Sequence, residues 1–125
     1  MKKIILFISI ILVISSCAER EKVDIESFKI GKFEIPAEKK IQRTVIIRTG
    51  SLQIETYGNR TDTLAIHWKN SFNYTLKMLH PKTDLDNQLI NVKITGIKVN
   101  SYTFEAVIGH SNYVQKGTVY KLLAE

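Results

Sequence analysis

The sequence predicts an all-β domain: about eight antiparallel strands in a meander, closed into a small up-and-down barrel or bent into a strongly curved sheet. Three observations predict it. Apolar residues recur with a period near two from Phe28 onward. Turn residues interrupt them every 8 to 12 positions. No amphipathic stretch is long enough for a substantial helix. Short turns force sequential antiparallel neighbours, and closing the meander removes its edges.

The elements follow in order. Phe28 to Ile35 is a first strand, with a bulge expected at Gly31 and a stop at Pro36. Ile41 to Arg48 is β-branched and forms the second. Gly50-Ser51 turns into Leu52 to Tyr57, where Leu52 and Ile54 alternate with Gln53 and Glu55. After Gly58-Asn59, Thr61 to Lys69 places Leu64, Ile66 and Trp68 on one face. Asn70-Ser71 leads into Phe72 to His80, which groups Phe72, Tyr74, Leu76 and Met78. Pro81 to Asn87 is the longest connection, and Thr83-Asp84-Leu85-Asp86 is able to cap one helical turn in it. Leu89 to Ile97 turns Ile90, Val92 and Ile94 inward, and Tyr102 to Ile108 does the same with Tyr102, Phe104, Ala106 and Ile108. Gly109 to Asn112 turns into the last strand, Tyr113 to Leu122.

What precedes Phe28 is an address. Met1-Lys2-Lys3 is a basic start, Ile4 to Ile14 an apolar run broken only by Ser9, and Ser15-Ser16 are small residues before Cys17. This is the layout of a secretory signal, and the run is shorter than the roughly 20 residues a transmembrane helix needs. Ile14-Ser15-Ser16-Cys17 resembles the lipobox of bacterial lipoproteins. The resemblance implies cleavage between Ser16 and Cys17, a diacylglycerol on the Cys17 thiol and acylation of the new amino terminus. A plain signal peptide with an incidental cysteine, or an uncleaved anchor, is the competing reading. Three segments result: a signal at 1–16, a lipidated Cys17 with a charged tether at 17–27, and one β domain at 28–125.

Removing residues 1–16 lowers the net charge from +6 to +4, with sixteen basic and twelve acidic side chains left. No basic run exceeds Lys39-Lys40, so a nucleic-acid partner is not expected. The expected partner is the membrane, through Cys17, together with a small amphipathic ligand or an envelope protein. Ala18 follows the cysteine where Asp would favour inner-membrane retention in some bacteria, so the reading leans to the outer membrane.

The domain also resembles a family of small bacterial lipoproteins of uncharacterised function. The likeness runs through Phe28-Lys29-Ile30-Gly31-Lys32-Phe33, Gln53-Ile54-Glu55-Thr56, Thr61-Asp62-Thr63, Trp68-Lys69-Asn70, Tyr74-Thr75-Leu76, Leu79-His80-Pro81-Lys82, Tyr102-Thr103-Phe104-Glu105 and Lys116-Gly117-Thr118. Members usually carry Cys-Glu where this chain has Phe72-Asn73, so no role of that pair transfers. Some members are labelled DNA topoisomerase IV, a label incompatible with a secreted, lipid-anchored domain of this size. The early Gly31-x-Phe33 also resembles lipocalin-like barrels.

A non-catalytic binding module is expected, with a structural or accessory envelope protein as the alternative and a hydrolase or metal-binding enzyme as the last one. His67, His80 and His110 share no strand face at metal-ligand spacing, and no nucleophile elbow, phosphate loop or dinucleotide fingerprint occurs. No metal or cofactor is expected. Glu55 and Glu105 alternate with the apolar stripes and are expected to face solvent. Arg43 falls in phase with Ile41, Val45 and Ile47, and Lys116 with Val114, Thr118 and Tyr120. An inward charge needs a partner, a rim or a wet cavity. Either a bulge turns Arg43 out to solvent, or Arg43 points into a pocket lined by Trp68, Tyr74, Tyr102 and Phe104 and suited to an anionic head group. Those four aromatics also fit an ordinary core. Asp62-Thr63-Leu64 resembles a short site of periplasmic O-glycosylation.

Overall fold

Alternating side chains need two environments, and a sheet curled on itself supplies both, a filled interior and a wet exterior. The computed structural model describes residues 23–122 and has this form. Its strands are β1 (Gly31–Ile35), β2 (Thr44–Arg48), β3 (Leu52–Tyr57), β4 (Arg60–Asn70), β5 (Asn73–Met78), β6 (Ile90–Ile97), β7 (Ser101–Ile108) and β8 (Val114–Lys121). Each pairs antiparallel with its sequence neighbours, and β1 meets β8 through Phe33↔Lys121 and Glu34↔Tyr120 to close the barrel. The expected up-and-down barrel is therefore present, closed rather than open. The signal segment and Cys17 lie outside the described residues.

The first element differs from expectation. Residues 25–28, read from sequence as the end of a tether and the start of a strand, form a 3-10 helix (Ile25–Phe28). Asp24 caps it by accepting the Glu26 N–H at 3.1 Å, and the Ser27 hydroxyl donates to the Asp24 carbonyl at 2.6 Å. The helix drops Phe28 into the end of the barrel, edge-on to Tyr102 with ring centroids 5.2 Å apart. Burying such a ring stabilises by roughly 2–3 kcal/mol, so these residues belong to the folded domain.

The interior is apolar through β4 to β7, where Leu64, Ile66, Tyr74, Leu76, Val92, Ile94, Tyr102 and Phe104 are buried as their phase predicts. Phe72 departs from its stripe and is exposed in the β4–β5 turn. In β8 the inward residues are Gln115, Gly117 and Val119; Lys116 points outward and pairs with Glu105 at 3.5 Å. Gly117 is required by close approach: a Cβ there would lie 2.9 Å from the Phe104 ring. Gly58, at φ +56°, makes the tight β3–β4 turn that other residues adopt only with strain.

Candidate functional site: a plugged barrel with an open cavity

The strand alternation of β2 places Thr44, Ile46 and Arg48 inward. Arg43 precedes the strand, points to solvent and forms an ion pair with Glu34. The inward reading of Arg43 is thus corrected. Both faces of β2 carry β-branched residues, so hydrophobicity alone could not set the phase, and the strand begins one residue after Arg43. The inward arginine is Arg48, only 2% exposed.

Arg48 plugs the barrel at the helix end. Its Nη1 donates to the Phe28 carbonyl at 2.9 Å, its Nη2 to the Tyr102 and Tyr74 hydroxyls at 2.7 and 3.0 Å, and its Nε to Gln53 Oε1 at 2.8 Å. The two hydroxyls also bond each other at 2.8 Å. Aromatic rings surround the guanidinium, with the centroids of Tyr74, Phe33, Tyr102 and Trp68 between 5.0 and 5.9 Å away. Burial pushes the Tyr74 phenol well above its ordinary value, so it stays a neutral partner. A buried charge is tolerated when its donors are satisfied, and here the planar fork of arginine meets four acceptors at once.

The network continues along the interior. Gln53 Nε2 donates to Glu55 Oε1 at 2.7 Å. Gln53 therefore relays between a buried cation and the one carboxylate joined to it among the described residues. The expectation that Glu55 faces solvent is overturned, because β3 presents Gln53 and Glu55 inward while Leu52 and Ile54 are only half-buried on the other face. Burial, the largest influence, raises the Glu55 carboxyl above its ordinary value; the Gln53 amide and the Arg48 charge pull the other way, and Asp62 across the strand pair adds to the rise.

That shift has a consequence for stability. The carboxyl holds its proton more tightly when folded, so folding is favoured at low pH, where both states are protonated. The advantage is lost as pH rises from the ordinary carboxylate range through the raised folded value. Glu55→Gln is expected to unfold at a higher temperature than the parent at pH 8. The gain should vanish near pH 4 in melts followed by circular dichroism. Equal gains at both pH values would show that Glu55 ionises freely in the cavity.

Above the plug lies a cavity of about 160 Å³. Its walls are apolar, with Ile46, Leu76, Val92, Phe104 and Ala106 among them, and its polar lining is Thr44, Arg48, Gln53, Glu55, Tyr74 and Gln115. It shares Ile41, Thr44, Glu55 and Gln115 with a wider open mouth of about 550 Å³, rimmed by Lys40, Tyr57, Tyr113 and Lys116. The mouth lies beside a gap in the wall. β8 pairs β1 only near its end, so residues 114–118 have no strand partner on that side.

Of the five residues singled out from sequence as a pocket, Tyr74 and Phe104 line the cavity. Tyr102 and Trp68 stand behind it in the plug, Trp68 with its ring 4.5 Å from that of Tyr74. Arg43 lies outside. Sequence reading missed Arg48, Gln53, Glu55 and Gln115. No local signal in the sequence marks them, because β2 is β-branched on both faces and the apolar alternation of β3 points to the opposite face. His67, His80 and His110 are all exposed, and among the described residues no three His, Cys, Asp or Glu side chains cluster as metal ligands would. Thr63 of the glycosylation-like tripeptide sits in paired strand β4, between Asp62, held by Tyr57 and Arg60, and the buried Leu64.

A family model for the prokaryotic membrane lipoprotein lipid attachment site matches residues 1–18, a stretch that includes Cys17. No curated protein and no solved structure matches the chain. Support from these comparisons therefore stops at the attachment site and does not extend to the motif family of the domain or to the lipocalin-like resemblance. The attachment site supports a bacterial membrane lipoprotein, exported and lipid-anchored in the cell envelope, whose folded part is a closed eight-stranded β-barrel.

Proposed function

We propose that this protein is a non-catalytic binding module, tethered by lipid on Cys17, that takes a small amphipathic ligand into its barrel. The observation that carries the reading is the cavity: apolar walls, one end plugged, the other open, and a few convergent polar groups. A dry apolar void of about 150 Å³ is known to hold a benzene-sized molecule, and this cavity has about 160 Å³ before the mouth is counted. The ligand that fits has an apolar body of about six carbons inside and its polar part at Arg48–Gln53 or at Glu55–Gln115. Cleavage before Cys17, removal of residues 1–16 and residence at the outer membrane, the last favoured by Ala18, belong to the same proposal.

Hexanoate, hexanol and hexylamine share one tail and differ in head group. At least one is expected to raise the unfolding temperature of the protein, and the best of the three identifies the head-group class. Ala106→Leu extends a wall residue into the cavity and is expected to abolish that shift while leaving the fold intact. If none of the three binds and the protein purified from envelopes carries no bound mass, the ligand reading is wrong.

A second reading, an accessory envelope protein that engages a partner, is favoured by one observation. The unpartnered part of β8 offers backbone groups to an added strand. Crosslinking in intact cells from position 116 would recover such a partner.

A further inference from the structure

The two ends of the barrel differ in charge. At the plugged end stand Lys29 beside the 3-10 helix, Lys32 near the start of β1, Lys69 near the end of β4, Lys98 in the β6–β7 turn and Lys121 closing β8. The acids described there are Asp24 and Glu26, and Glu26 is paired with Lys29 at 3.1 Å. Among the described residues there, the lysines are in excess. At the mouth the signs nearly balance: Arg43 pairs with Glu34, Arg60 with Asp62 and Asp86, Lys39, Lys40 and Lys82 stand near Glu38 and Asp84, and Lys77 near the end of β5 is left over. The plugged end also exposes Ile30 (65%) and Phe72 (50%). The mouth exposes Leu79, Leu85, Leu89, Tyr113 and Val114 too, but with a smaller charge excess.

The tether chooses between the ends. Cys17 precedes Val23 by six residues, which extended span about 20 Å at most. Val23 leads directly into the helix at the plugged end. An eight-residue strand such as β6 is about 26 Å long, and barrel tilt reduces its height to about 20 Å. A lipid on Cys17 is therefore within about 20 Å of the plugged end, and it would reach the mouth only with the tether fully stretched along the whole barrel.

From this juxtaposition we propose that the plugged end is a docking face for the anionic lipid surface of the membrane that holds the anchor. The lysines lie over the headgroups, Ile30 and Phe72 enter the interface, and the cavity mouth faces away into the aqueous compartment. The inference rests on the Cys17 anchor for the position of the membrane. The ligand filling the cavity does not enter it. Anything that uses the cavity would then reach it from the aqueous side and not from the anchoring leaflet.

The test uses the mature chain, residues 17–125, carrying Cys17→Ser so that no acyl group contributes. It is expected to co-sediment with mixed phosphatidylglycerol–phosphatidylcholine vesicles at low salt, to leave them as salt rises, and to ignore pure phosphatidylcholine. One lysine at an anionic surface is worth on the order of fivefold in affinity. Lys32→Gln/Lys69→Gln/Lys98→Gln should therefore weaken binding by on the order of a hundredfold, whereas Lys39→Gln/Lys40→Gln/Lys82→Gln at the mouth should change it little. All six side chains are exposed, so both variants should melt like the parent. Trp68, the single tryptophan, lies at the plugged end under Lys29, whose Nζ is 5.4 Å from its ring. Brominated anionic lipid should quench its fluorescence. No binding to the mixed vesicles, equal losses from both triple variants, or binding without quenching would each overturn the proposal. Failure of the anchor itself would appear separately, as absent acyl labelling of the Cys17 parent.

Discussion

Arg48→Met is expected to lower the thermal unfolding midpoint by roughly 15 °C or more. Each buried acceptor left without its donor costs about 1–3 kcal/mol, and each kcal/mol moves the midpoint of a domain of this size by about 4–8 °C. The loss arises at both ends of the plug. The Phe28 carbonyl and Gln53 Oε1 lose their donors, and the two tyrosine hydroxyls keep only each other. Lysine is a poor substitute, since a point ammonium cannot reproduce a planar fork that reaches four acceptors. Changing Tyr74 and Tyr102 to phenylalanine together with Arg48→Met should recover part of the loss, because fewer polar groups remain unpaired. A single Arg48→Met variant that melts within a few degrees of the parent would show that the helix and the aromatic rings close the barrel without it.

Cys17→Ser is expected to abolish stable membrane anchoring, leaving at most the salt-sensitive surface binding of the plugged end. Stable anchoring takes two or three acyl chains, and a single chain holds only marginally. The apolar run from Ile4 to Ile14 is also too short to span. Metabolic labelling with a fatty-acid analogue, followed by fractionation of the cells, checks both parts. The variant should take up no label and should leave the membrane fraction when it is washed at high salt. Label and retention that match the parent would exclude Cys17 as the attachment point. Cys17 precedes the described barrel residues 23–122 in sequence, and a melt of the released variant that matches the parent separates this loss from a folding defect.

Where the sequence could be read, it was read through polarity, and where it failed, polarity had inverted. In β4 to β7 the inward stripe is apolar and the outward one polar, and the predicted faces of Leu64-Ile66-Trp68, Tyr74-Leu76, Val92-Ile94 and Tyr102-Phe104 are the observed ones. In β2, β3 and β8 the inward stripe carries Arg48, Gln53, Glu55, Gln115 and Gly117, while Val45, Ile47, Leu52 and Ile54 take the other face. These three strands flank β1 on one side of the barrel, the side that holds the polar network and the gap. A periodicity argument assumes that the interior is apolar. It therefore selects the wrong face in the strands that build a polar interior, which is also where the candidate site lies.

By itself the sequence determined the signal layout, the cysteine within it, the order and nearly the limits of eight strands, and their antiparallel meander. All of these are local: an apolar run before a cysteine, a period of two, a turn residue between runs. Only the tertiary structure decided that the barrel closes, that residues 25–28 fold back as its plug, and that the buried arginine is Arg48 rather than Arg43. Arg48 meets Phe28, Gln53, Tyr74 and Tyr102 across separations of 20, 5, 26 and 54 residues. No local pattern encodes whether such a charge will be buried, because the answer depends on whether distant acceptors converge on it, and that convergence exists only once the sheet has closed.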